Sequence, residues 1–190
     1  RGCNFNNTIA FTQCIFETMV DFSNATFNCQ TIFLNSIFKA EARFIATKFL
    51  AKQGNSEIIE NDFRQSIFKE NTSFSGAIFQ GRVSFGISRF KAETRFIKTQ
   101  FLVEQSDNNK IVENDFRETS FEGNTSFSDA EFKGRVSFGI SIFKDKARFT
   151  KTRFLAKQSD NSEIAENDFR ETIFEGNTYF SSITLQGIIS

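Results

Sequence analysis

Few side chains in this sequence could do covalent chemistry, and their spacing argues against it. There is no His among the 190 residues, which removes the commonest general base and the commonest metal ligand. Three cysteines stand at Cys3, Cys14 and Cys29. An odd count at those intervals makes neither a disulfide framework nor a CxxC metal pair. Cys3 and Cys14 fall in small slots, read below as inward-facing, and are expected as buried thiols. Cys29 falls outside those slots and is the more reactive candidate. The acid-rich run Asp160-Asn161-Ser162-Glu163-Ile164-Ala165-Glu166 lacks the alternating ligands and the glycine of a calcium loop. Asn6, Asn24, Asn71 and Asn124 open Asn-x-Ser/Thr triplets, which an Asn/Thr-rich repeat produces by chance. No Gly-rich phosphate loop and no nucleophile–His pair occurs. A non-enzyme is expected, with no catalytic, metal-binding or cofactor-binding residues.

Charge is balanced, with 23 Lys and Arg against 23 Asp and Glu. That argues against bulk attraction to nucleic acid or to an anionic membrane. Basic residues nevertheless recur in two series, Lys39, Lys91 and Lys144, then Arg43, Arg95 and Arg148. They form a possible basic ridge. The plain reading is a solvated face balancing acidic segments elsewhere. The alternative is a ridge for an anionic polymer or an acidic partner. Nucleic-acid binding calls for exposed aromatics or a net basic domain, so neither nucleic acid nor membrane is expected as a partner. No apolar run is long enough to span a bilayer.

What positions these residues is a repeat carried by 28 Phe. They fall at 5, 11, 16, 22, 27, 33, 38, 44 and 49, and resume as Phe63, Phe68, Phe74, Phe79, Phe85, Phe90, Phe96 and Phe101. The next set begins Phe116, Phe121, Phe127 and Phe132, and the last is Phe169, Phe174 and Phe180. Steps alternate between five and six. A longer period of 53 relates Phe63, Phe116 and Phe169, and 34 of 53 positions are identical between Asn61–Glu113 and Asn114–Glu166. Two residues before each Phe stands a small or β-branched residue, such as Val20, Ala25, Thr31, Ser36 or Asn61, never a charged or aromatic one. The residue between is free. Constrained, free, constrained is the period of a strand with one face inward.

An 11-residue period could also specify a right-handed helical supercoil. On an α-helix, however, a step of five turns about 500° and places alternate Phe roughly 140° apart, giving two opposed stripes. Asn, Thr, Ser and Gly are also poor helix formers. The remaining solution is a solenoid of very short strands with a turn every five or six residues.

The stretch Asn71-Thr72-Ser73-Phe74-Ser75-Gly76-Ala77-Ile78-Phe79-Gln80-Gly81-Arg82-Val83-Ser84-Phe85 resembles the pentapeptide-repeat family, in a Phe-rich form with alternating five- and six-residue units. The resemblance implies an all-β fold, a right-handed quadrilateral β-helix with four units per turn. The Phe slots and Leu185 would then make about seven coils in one domain over residues 1–190. The sixth residue could sit at a bulge or at a corner. The best-known relatives mimic DNA and inhibit type II topoisomerases, which requires a strongly negative face.

Three acidic inserts interrupt the repeat at Leu50–Asp62, Leu102–Asp115 and Leu155–Asp168, with charges of −2, −3 and −3. The rest of the chain therefore carries +8. Either each insert spans one side plus about nine residues, so that all leave from one corner, or each is three plain pentapeptides with Ile111 and Ile164 in core slots. The first is preferred. The chain opens at Arg1 and holds one Met, Met19, and reads as a processed product or an excised fragment. Neither end carries an obvious cap, and open coil ends invite pairing. The expected role is a structural repeat scaffold working through protein–protein contact, or through self-association at its surface and coil ends. A gyrase inhibitor of the DNA-mimicking type is the alternative. The partner is not legible, and a cytoplasmic location is the default expectation.

Overall fold

A computed structural model describes residues 2–51, 60–103, 113–156 and 166–190. Each Phe-centred unit makes a strand of two or three residues, and successive strands occupy four faces in turn. In the first coil these are Asn4–Phe5 on face A, Ile9–Ala10 on face B, Ile15–Phe16 on face C and Val20–Asp21 on face D. The next strand, Thr26–Phe27, returns to face A and pairs in parallel with the first, Phe27 opposite Phe5. Strands pair with the one four places on, save Arg135–Ser137, which meets the next face B segment through the single bridge Ser137–Asp168. The result is a right-handed quadrilateral β-helix. Face A holds eight stacked strands, so the rod is on the order of 34 Å long at about 4.8 Å per strand.

The interior is four columns of Phe rings, one per face. Along face A the column runs Phe5, Phe27, Phe49, Phe79, Phe101, Phe132 and Phe154, then Leu185. The others start at Phe11, Phe16 and Phe22. Within a column neighbouring rings stack with centroids 4.5 to 5.7 Å apart. Between columns they meet edge to face, as Phe96 meets Phe116 at 5.6 Å and 89°. Both arrangements suit the ring quadrupole. The rings Phe63, Phe68, Phe74, Phe79, Phe85, Phe90, Phe96, Phe101, Phe116, Phe121, Phe127 and Phe132 are fully enclosed.

The slot two residues earlier differs by face. On face C it holds Ser36, Ser66, Ser88, Thr119, Ser141 and Thr172. Each hydroxyl donates to a Phe carbonyl of the preceding coil, as Ser88 does to Phe63 at 2.7 Å and Thr119 to Phe85 at 2.9 Å. Polar atoms beside the aromatic core are thus paired. Face A alternates Ala and Thr, and face B carries Asn61, Asn114 and Asn167 at alternate coils.

The sixth residue sits at corners. From A to B and from C to D the step is six, through open bends. From B to C and from D to A it is five, through a closed turn in which the amide three residues on donates to the Phe carbonyl, as Ser88 N–H does to Phe85 at 3.0 Å. The second central residue of each closed turn has positive φ, from Ala46 at 53° to Gly76 at 68°. Type II turns require that conformation and usually place Gly or Asn there. At an open bend Gly123 answers a different need, since a Cβ would lie 2.6 Å from the backbone of Ala92 in the coil below.

A plain coil takes 22 residues, Phe5 to Phe27. The steps Phe49 to Phe79, Phe101 to Phe132 and Phe154 to Leu185 take 30, 31 and 31. The extra length in all three lies between face A and face B. The chain re-enters face B in register, Glu60–Asp62 pairing with Arg82–Ser84 and Glu113–Asp115 with Arg135–Ser137. The central stretches, with Ile111 and Ile164, lie outside the described residues. Phe63 stacks on Phe33 and Phe85.

Candidate interaction surface

The outward residue just before each Phe forms a row along its face, and the four rows differ. Face D carries Asp21, Arg43, Ser73, Arg95, Ser126, Arg148 and Tyr179. The predicted Arg43, Arg95 and Arg148 therefore share one face at alternate coils. Lys39, Lys91 and Lys144 stand at the adjoining C–D corner. The structure brings the six together as a strip but not as an unbroken basic ridge. Arg43 binds Glu41 at 2.7 Å, Arg95 binds Glu93 at 2.7 Å, Lys39 reaches Glu17 at 2.8 Å and Arg148 lies 5.9 Å over the Tyr179 ring. The hydrogen bond and charge of Glu93 raise the Arg95 pKa, as those of Glu41 raise that of Arg43.

Face B is the opposite case, a polar row that is buried. Asp62, Ser84, Asp115, Ser137 and Asp168 succeed one another and are each 5% exposed or less. Each Asp is chelated by the Arg two residues on. Arg117 Nε donates to Asp115 Oδ1 at 2.9 Å and Arg170 Nε to Asp168 Oδ1 at 2.9 Å. Ser84 adds a bond to Asp115 at 3.0 Å, and Ser137 one to Asp168 at 3.2 Å. The hydrogen bonds from Arg170 hold the Asp168 carboxyl at a pKa of about 2. At Asp115 burial pushes the carboxyl up, but the bonds and charge of Arg117 outweigh it and the net direction is down. Glu113, within 3.2 Å of Arg135, goes the other way because burial dominates. The recurring Asn-Asp-Phe-Arg at 61, 114 and 167 was the signal for this ladder. It marks where the chain re-enters the coil after each insert.

Face C is aliphatic, half-buried in its middle coils and exposed at its end coils. Its outward row reads Ile15, Ile37, Ile67, Arg89, Ser120, Ile142 and Ile173. Ile87 and Ile140 add to it from the B–C corner, 51% and 54% exposed. Along the C–D edge Lys39, Lys69 and Lys91 stack in three consecutive coils. Wrapping the sequence at 22 residues would have exposed this row, but the inserts shift that wrap after every second coil.

The cysteines depart from expectation. Cys3 is exposed and Cys14 half-buried, because their slots face inward in a coil covered on one side only. Cys29 is half-buried, its Sγ near the carbonyl of Asn7 at 2.7 Å. Burial pushes its thiol pKa up, which lowers the thiolate fraction and reactivity.

Residues 1–48 match the family description for pentapeptide repeats, in nine copies. The same five-six register continues through every described coil to Leu185. The fold is that of a pentapeptide-repeat β-helix. Among solved structures, the chain aligns with a trypsin-treated form of QnrB1, a plasmid-mediated fluoroquinolone resistance protein, at 12% identity. The alignment covers 98% of this chain and 92% of the other, with a TM-score of 0.23. At that score the two do not superpose as wholes, and no functional argument follows from it. No curated protein matches the chain.

Proposed function

We propose that this pentapeptide-repeat rod is a non-enzymatic scaffold that engages protein through its side, with face C as the contact surface. The observation that carries the reading is the contrast between rows. The polar row of face B is buried, whereas the aliphatic row of face C reaches solvent, Ile37, Ile67 and Ile142 half-buried and Ile15 and Ile173, in the end coils, 55% and 51% exposed. Contiguous exposed apolar surface rimmed by charge marks protein contact sites. The DNA-mimicking reading lacks support, since the only charged residue in the face C row is Arg89 and face D offers three Arg against Asp21. A gyrase supercoiling assay without inhibition sets it aside.

The lateral reading is tested by a photo-crosslinking residue placed at Ile37 on face C, or at Arg95 on face D, in the cell that makes the protein. Discrete adducts from position 37 and none from position 95 are expected. No adducts at either position, or equal adducts at both, overturn the reading.

A further inference from the structure

We infer that the N-terminal half of face C is a docking strip for an amphipathic, acidic helix of a partner protein, lying along the rod axis. The inference rests on the lateral-contact reading and specifies the partner's chemistry. Two independent features converge on coils one to four.

The first is the apolar row. Ile15, Ile37 and Ile67 are in direct register, Ile15 opposite Ile37 and Ile37 opposite Ile67. At the fourth coil the centre becomes Arg89, and the row passes to Ile87 at the corner. The second is charge. Lys39, Lys69 and Lys91 occupy one edge in successive coils, their amides bonded to the carbonyls of Phe16, Phe38 and Phe68. Like charges side by side on neighbouring strands destabilise a sheet. Lys39 has Glu17 at 2.8 Å. Lys69, Lys91 and Arg89 have no ion pair among the described residues, so a carboxylate-bearing partner would relieve the stack. Ile87 extends the apolar surface at the B–C corner, its side chain half in solvent, in the positive-φ conformation that every closed turn of the rod adopts.

Pitch selects a helix. Coils repeat at about 4.8 Å, close to the 5.4 Å turn of an α-helix. Alternate residues of an extended chain lie about 6.7 Å apart and fall out of step at once. The strip of four coils is about 14 Å long, which faces about ten helical residues. Leucines at i, i+3, i+4 and i+7 would cover the isoleucines, with glutamates along one flank over Lys39, Lys69 and Lys91. The strip ends at the fifth coil, where Ser120 and Glu122 replace the apolar and basic positions.

The probe is a synthetic peptide of about 14 residues with that pattern of Leu and Glu, titrated against the full chain by fluorescence anisotropy. Saturable binding that weakens as salt rises is expected. Lys69→Glu should weaken it by about tenfold or more while leaving the melting temperature equal or higher, because a lysine stack is broken. A peptide with Lys in place of Glu should bind that variant and not the parent. Ile67→Ser should weaken the Glu peptide similarly with the fold intact. Failure of the Glu peptide to bind, equal binding by the Lys69→Glu variant, or binding only to anionic phosphatidylserine vesicles overturns the inference. If adducts form at position 37 but the peptide does not bind, the lateral scaffold stands and the partner chemistry falls.

Discussion

Phe96 and Ile87 belong to the same coil and differ in every respect that matters. Phe96 is fully enclosed, stacked on Phe74 and Phe127 at 5.1 and 4.8 Å. Ile87 is half exposed in a strained turn. The interior repeats one solution in all four columns, so it specifies the fold and says nothing about purpose. The outward rows repeat no single solution, and there the four faces diverge into a buried Asp–Ser row that contributes to the fold, an aliphatic row, an arginine row and a mixed one. In a solenoid, information about a partner concentrates in rows that the fold does not dictate.

The sharpest way to break this comparison is to truncate one residue of each kind. Phe96→Ala leaves a cavity between two stacked rings and should lose about 3–5 kcal/mol, read from denaturant unfolding. Ile67→Ser, on face C in the neighbouring coil, should stay within about 0.5 kcal/mol. Similar losses from the two would mean that the outward row is part of the folding core. Next in size is the contrast between polar rows. Asp115→Ala strips a buried acceptor from Arg117 and Ser84 and should lose about 1–3 kcal/mol. Arg95→Ala, whose partner Glu93 is open to water, should lose at most about 1 kcal/mol.

Much of this was legible in the sequence, for a physical reason. A ring every five or six residues suits burial by short strands, so the Phe positions predict an inward ladder, and the family resemblance implies its division into four columns. The two-residue offset to the small slot predicts which neighbour points inward. What could not be read was the identity of the rows. Arg43 and Arg95 lie 52 positions apart yet share a face, while Lys39 lies four from Arg43 and belongs to the adjoining corner. Assigning a row needs the count of residues per coil, and inserts of different length disrupt that count. The cysteine expectation failed for a related reason, because slot direction is local and burial depends on the coil stacked above.

Acid sharpens the difference within face B. The Asp168 pKa is about 2 in the fold against an ordinary 3.8. Its bonds to Arg170 therefore contribute fully above about pH 4, and the contribution is lost as pH falls toward 2. Glu113 has a raised pKa from burial, so its penalty grows as pH rises from 4.5 through its folded value. Melting temperature followed across this range should fall less steeply at low pH in Asp168→Asn than in the parent. In Glu113→Gln it should fall less on the neutral side. If Asp168→Asn keeps the parent's acid limb, the ladder is not what holds face B at low pH.

The smallest effect has the opposite sign. Ile87 and Ile140 adopt φ of 61° in closed turns where a β-branched side chain crowds its own backbone. The left-handed conformation costs an ordinary residue about 1–2 kcal/mol, and Asn tolerates it better. Ile87→Asn should thus gain up to about 1 kcal/mol, raising the melting temperature by about 2–4 °C in a chain of this size. It should also remove one apolar anchor from the docking strip. Ile140→Asn should give the same gain but leave the acidic peptide's affinity unchanged, since its corner lies beyond the polar fifth coil. A variant at position 87 that is both more stable and a weaker binder would place Ile87 among residues kept for contact at the expense of stability. If Ile87→Asn melts lower than the parent, the isoleucine is packing against the rod, and its half-exposed strained turn is a folding feature after all.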